Sequence, residues 1–130
     1  MSPARVLLVE DNPDNFELVR FLLERIGYEV LGSRDGLQAL DTARREIPDL
    51  ILMDLSLPGM DGWTAAQELK NGASTSHIPL LAITAHTLPG DRKRAMESGF
   101  DGYISKPINV QTFPTDISSA IEKGKAKRQE

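Results

Sequence analysis

Leu50-Ile51-Leu52-Met53, four consecutive apolar residues closed by Asp54, is the stretch that settles the architecture. A short run without polar alternation reads as a strand covered on both faces, the mark of a parallel sheet. Val6-Leu7-Leu8-Val9 and Leu80-Leu81-Ala82-Ile83 have the same character, whereas Tyr28-Glu29-Val30 alternates and Tyr103-Ile104 is short. The first, third and fourth strands are therefore interior, and the second and fifth are edges.

Helical spacing fills the gaps. Phe16, Val19, Leu23 and Ile26 form one stripe, and Leu37, Leu40, Ala43 and Ile47 another. Trp63, Ala66 and Leu69 form a third, and Phe113, Ile117, Ala120 and Ile121 the last. Each turns one apolar face to a core. Asn12 before Pro13 reads as an N-cap with proline in the first turn, while Gly27, Gly72 and Gly99 stand where helices should stop. Strands alternating with helices imply crossover units, hence an α/β domain of five strands and five helices. The helical segment from Leu88 to Ser98 is the exception. Its main apolar anchors are Ala95 and Met96, so it is either a solvated surface helix or an element free to shift when a nearby site changes state.

At 130 residues, 40% hydrophobic and 26% charged, the chain has the composition of one globular domain. The boundaries expected are a domain over residues 1–124 and a short basic tail, frayed, over 125–130. The absence of cysteine excludes disulfides, thiolate zinc sites and cysteine nucleophiles. A net charge of −4 argues against nucleic acid as the main partner. No apolar run approaches the length of a membrane span, and Met1-Ser2-Pro3-Ala4-Arg5 lacks a leader pattern, so a cytoplasmic protein is expected.

Polar residues interrupt where the strands end. The first strand runs into Glu10 and Asp11, the third into Asp54, the fourth into Thr84 and the fifth into Ser105 and Lys106. In a parallel sheet these ends share one edge, where open α/β sheets place ligands. Three carboxylates there raise one another's pKa, and one lysine does not balance them. A hard divalent cation does, and two carboxylates with retained waters suit magnesium better than calcium. Carboxylates that merely cap the following helices are the plainer alternative. Beside magnesium, a hydroxyl and a lysine, Asp54 is suited to accept a phosphoryl group, with the metal bridging Asp11 and Asp54. No P-loop, GxGxxG pattern or Ser–His–Asp set can be placed.

Four strings then show a resemblance: Val6-Leu7-Leu8-Val9-Glu10-Asp11-Asn12, Asp49 through Gly62, Ile78 through Ala85, and Gly102-Tyr103-Ile104-Ser105-Lys106-Pro107. In this order and spacing the chain resembles the receiver domains of two-component response regulators, along essentially its whole length. Stand-alone regulators of the DivK type and the receivers of hybrid kinases are the most similar. The resemblance implies a flavodoxin-like, doubly wound parallel sheet of order 2-1-3-4-5. It implies phosphorylation of Asp54 by a sensor histidine kinase or a histidine phosphotransfer domain. Magnesium would be held by Glu10 through water, Asp11, Asp54 and the main-chain carbonyl of Ser56. Lys106 would pair with the phosphoryl group, Lys106–Pro107 would be cis, and Thr84 with Tyr103 would form the switch. If the chain is complete, the signal would pass to a downstream protein target through helix 4, strand 5 and helix 5. Whether two copies pair is left open.

Two departures stand out. Pro114 falls in the expected fifth helix, which should therefore start late, near Thr112. Ser56 and His86, two residues after Asp54 and Thr84, line the mouth and should tune the phosphoryl lifetime. Two other functions compete. A phosphohydrolase with an aspartate nucleophile needs an acid two residues after it on the first strand, whereas here Asp54 lies on the third with Ser56 at that offset. An interaction module that works without phosphorylation would be favoured if acidic or lysine positions were missing, and none is.

Overall fold

The computed structural model describes residues 3–55, 62–84 and 89–129. Its elements alternate: β1 (Arg5–Val9), α1 (Pro13–Arg25), β2 (Glu29–Ser33), α2 (Gly36–Glu46), β3 (Leu50–Asp54), α3 (Gly62–Asn71), β4 (Leu80–Thr84), α4 (Pro89–Glu97), β5 (Gly102–Ser105) and α5 (Phe113–Gln129). The strands form one sheet in the order β2-β1-β3-β4-β5, all parallel. Every residue of β3 and β4 is buried, whereas β2 and β5 keep exposed positions at the edges.

Local chemistry sets the helix ends. Asn12 Oδ1 accepts the Asn15 N–H at 3.0 Å, with Pro13 opening α1. Asp35 caps α2 in the same way through the Gln38 N–H at 2.8 Å. After α1 and α4 the chain turns at Gly27 and Gly99, whose φ angles of 98° and 106° suit glycine. In α5, Pro114 is the second residue, where it has no N–H to lose from the ladder, and the Asp116 N–H reaches the Thr112 carbonyl at 3.0 Å. The backbone of α5 stays helical through 125–129, where fraying was expected.

Two apolar layers sandwich the sheet. On one side Leu7, Ile51, Met53 and Leu80 pack against α2, α3 and the end of α4. On the other, Val6, Leu8, Leu50 and Leu52 meet Val19 and Leu23 of α1 and Phe113, Ile117 and Ile121 of α5. Three positions expected in the core are outside it, and the first, Ile26, is the C-cap residue of α1, past its last buried turn, and 36% exposed. Leu37 is 63% exposed, because α2 buries the face carrying Gly36, Ala39, Leu40 and Ala43. Met96 is 48% exposed, so among the described side chains of α4 Ala95 is the buried one.

Candidate functional site

Register brings the strand ends together. Val9 pairs with Met53, so Glu10 and Asp54 leave adjacent strands side by side. Asp54 pairs with Ile83, and Thr84 with Ser105, which carries the same rim across β4 to β5. The Glu10 N–H donates to the Ser33 carbonyl at 3.0 Å, fixing the exit of β1. The Asp11 N–H donates to Glu10 Oε2 at 3.1 Å. The Lys106 N–H donates to the Thr84 carbonyl at 2.8 Å, and the Lys106–Pro107 peptide is cis. From that anchored backbone, Lys106 Nζ donates to Asp54 Oδ2 at 2.7 Å.

The acceptor of that bond is nearly sealed, with Asp54 3% and Glu10 5% exposed. Glu10 is accordingly pushed from its ordinary 4.5 up to about 7. Burial is the main cause, followed by the hydrogen bond it shares with the Asp54 carboxyl and the charge of Asp54. Lys106 opposes the rise, and Asp11 adds a smaller push. The rim therefore gathers three acids around one ammonium and resists its own negative charge.

That surplus is what a divalent cation relieves. Among the described residues, no three His, Cys, Asp or Glu side chains close into a ready-made ligand cage. Magnesium needs none: it keeps several waters and takes one or two carboxylates directly. Oxygen donors with excess negative charge fit it.

Glu10, Asp54 and Lys106 are thus joined by hydrogen bonds, and Asp11 is exposed beside them within electrostatic reach. Thr84 is buried at the end of β4. Tyr103 is half-buried on β5, beside Ala82 in register and packed against the core. Ser56 and His86 lie outside the described residues.

One feature escaped the sequence reading. A cavity of about 530 Å³ opens beside Asp54 and Lys106, walled by Leu18, Leu22, Ile108 and Val110. Leu18, Phe21 and Val110 are all more than half exposed. The signal was available: Leu18 and Phe21 lie off the stripe that α1 buries through Val19 and Leu23, so this helix is apolar on more than its core side.

Comparison with known proteins places the chain in a family. Residues 6–118 match the family described as the response regulator receiver domain. The polar-differentiation response regulator DivK of Brucella anthropi is 46% identical over 119 residues, covering 92% of this chain and 97% of that protein. The receiver domain of a Pseudomonas aeruginosa sensor histidine kinase, solved with a magnesium ion coordinated in its active-site cleft, superposes with a TM-score of 0.87. It is 35% identical and covers 93% of this chain and 99% of its own. The chemotaxis protein CheY4 of Vibrio cholerae has a TM-score of 0.86 at 28% identity, covering 92% of this chain and 99% of its own. The chain belongs to the response regulator receiver domains, signalling proteins that work with the histidine kinases of two-component systems.

Proposed function

We propose that Asp54 is the phosphoacceptor. The observation that carries this reading is the buried Asp54 carboxylate, bonded at once to the Lys106 ammonium, at 2.7 Å, and to the Glu10 carboxyl. A partner's phosphohistidine would present its phosphorus to an Asp54 oxygen. The O–P bond forms as the N–P bond breaks, and the imidazole nitrogen keeps the electron pair and takes up a proton.

Magnesium would be held by Asp11, Asp54, Glu10 through water and the Ser56 carbonyl. When bound, it neutralises charge on the phosphoryl oxygens. Lys106 would pass its hydrogen bond from Asp54 to a second phosphoryl oxygen, and the Thr84 hydroxyl would donate to a third. As Thr84 moves toward the phosphoryl group, the Tyr103 ring turns into the space behind it. Moving such a switch from mostly off to mostly on takes about 5 kcal/mol of differential interaction. The same residues supply self-phosphorylation from small phosphodonors and self-dephosphorylation.

The phosphodonor partner, a sensor histidine kinase or histidine phosphotransfer domain, has to reach Asp54. The apolar cavity walled by Leu18, Leu22, Ile108 and Val110 opens at that carboxylate, and the donor would cover it. The downstream protein target would read α4, β5 and α5, where α4 is weakly anchored. Residues 1–124 would act as the receiver, with 125–130 as a basic tail, in the cytoplasm. No described helix is long and apolar enough to cross a membrane.

The test is incubation with a small acyl phosphate and magnesium, followed by intact mass. One added phosphoryl group is expected, lost in Asp54→Ala and with chelator. Uptake that persists in Asp54→Ala contradicts the proposal.

A further inference from the structure

We infer that Arg94 of α4 and Trp63 of α3 form a latch that holds α4 in its resting position and ties that position to the backbone of Asp54. The inference rests on the reading of Asp54 as acceptor only for what trips the latch.

Among the described side chains of α4, residues 93–97, one is buried. Ala95 is buried but Met96 is not, and helices in proteins owe most of their stability to the buried face. The Arg94 guanidinium instead lies 4.3 Å from the centroid of the Trp63 ring, within cation–π range. Trp63 meets buried Phe100 edge to face, with centroids 6.0 Å apart and planes at 90°. Phe100 follows directly after the Gly99 turn, and its N–H donates to the Ala95 carbonyl at 3.1 Å. One indole thus touches the last turns of α4 on its exposed side and the chain leaving α4 on its buried side.

A second contact secures the same end. Gly99 packs so closely on the Lys70 stem that a Cβ there would come within 2.7 Å of Lys70 Cγ. Lys70 Nζ in turn bonds Asp101 at 2.9 Å and the Ile78 carbonyl at 2.8 Å. This contact fixes the hinge after α4. The Arg94–Trp63 stack is then the contact that governs how the helix swings about it.

The link to the acceptor runs through one residue. A Cβ on Gly62 would lie 3.3 Å from the Asp54 carbonyl oxygen and 3.1 Å from Leu55 Cδ2, so the first residue of α3 is seated on the end of β3. Trp63 is the next residue. A shift of the β3 end on phosphorylation therefore moves the indole under Arg94. A cation–π contact at an exposed site corresponds to about a two- to fivefold bias between held and released helix, enough to tune a switch without locking it.

Trp63 is the only tryptophan, so its emission reports on the latch. The test uses the full chain, unphosphorylated and with chelator, as wild type, Arg94→Gln and Arg94→Lys. Amide exchange over 89–97 and acrylamide quenching of Trp63 are read together. In Arg94→Gln, exchange of α4 is expected to rise two- to fivefold and quenching to increase, with Arg94→Lys closer to wild type and β1 and β3 unchanged. Wild-type exchange and quenching in Arg94→Gln overturn the latch. Phosphoryl uptake measured separately keeps the two readings apart. Uptake with an unmoved α4 refutes the latch alone. No uptake by the wild type refutes the acceptor reading and leaves the latch to be decided by the exchange result.

Discussion

Lys106 Nζ sits 2.7 Å from Asp54 Oδ2 although 52 positions separate the two residues in the chain. The loop after β5 thereby places its ammonium against the end of β3. Replacing Lys106 by Met removes a donor aimed at developing phosphoryl charge, a loss that costs on the order of a hundredfold in rate. Phosphoryl uptake should slow by about that factor, as initial rates by intact mass will read. Magnesium affinity should not fall, because the ammonium repels the cation, and calorimetric titration checks this.

Metal-free protein should lose stability as pH rises. Glu10 has a folded-state pKa raised from 4.5 to about 7, so its contribution is full below 4.5 and gone above 7. Between those limits the folded state holds a proton that the unfolded state releases, which makes the slope negative. The span corresponds to at most about 3 kcal/mol. Glu10→Gln cannot titrate and should match wild type near pH 5 while exceeding it at pH 8. Urea unfolding with chelator at both pH values measures the difference.

Protonation of Glu10 and magnesium binding should oppose each other. With a site pKa near 7, apparent magnesium affinity should fall about tenfold from pH 8 to pH 6. The direction follows from the raised pKa, since at pH 6 a proton must leave before the cation binds. Titrations at the two pH values read the ratio, and equal affinities would sink the assignment of Glu10 to the metal site.

Gly99→Ala should destabilise the fold by about 1–2 kcal/mol, the usual cost of a side chain at positive φ. The contact with Lys70 adds to it. Thermal unfolding measures the loss, while phosphoryl uptake by the folded fraction should persist, because Gly99 is not a site residue.

Much of this was legible in the sequence. The unalternating runs marked β1, β3 and β4 as interior, and the polar residues closing them marked the rim where Glu10, Asp54 and Lys106 meet. What escaped has physical causes. Helical spacing locates an apolar stripe but not its edges, so Ile26, Leu37 and Met96 fit the spacing and yet lie outside the buried face. The Lys70–Asp101 pair, 31 residues apart, lies where β4 and β5 begin, on the sheet edge opposite the polar strand ends. Nothing in local spacing brings those two residues together. The cavity beside Asp54 is invisible to a single core stripe, because Leu18 and Leu22 of α1 wall it from beside the buried Val19 and Leu23.

The most direct test of the acceptor assignment is chemical. After phosphorylation with a small acyl phosphate and magnesium, borohydride reduces an aspartyl phosphate to homoserine, and peptide mapping locates it. The expected result is homoserine at position 54 and nowhere else. Homoserine at Asp11 or another acidic position, or none in protein that has gained a phosphoryl group, contradicts the account.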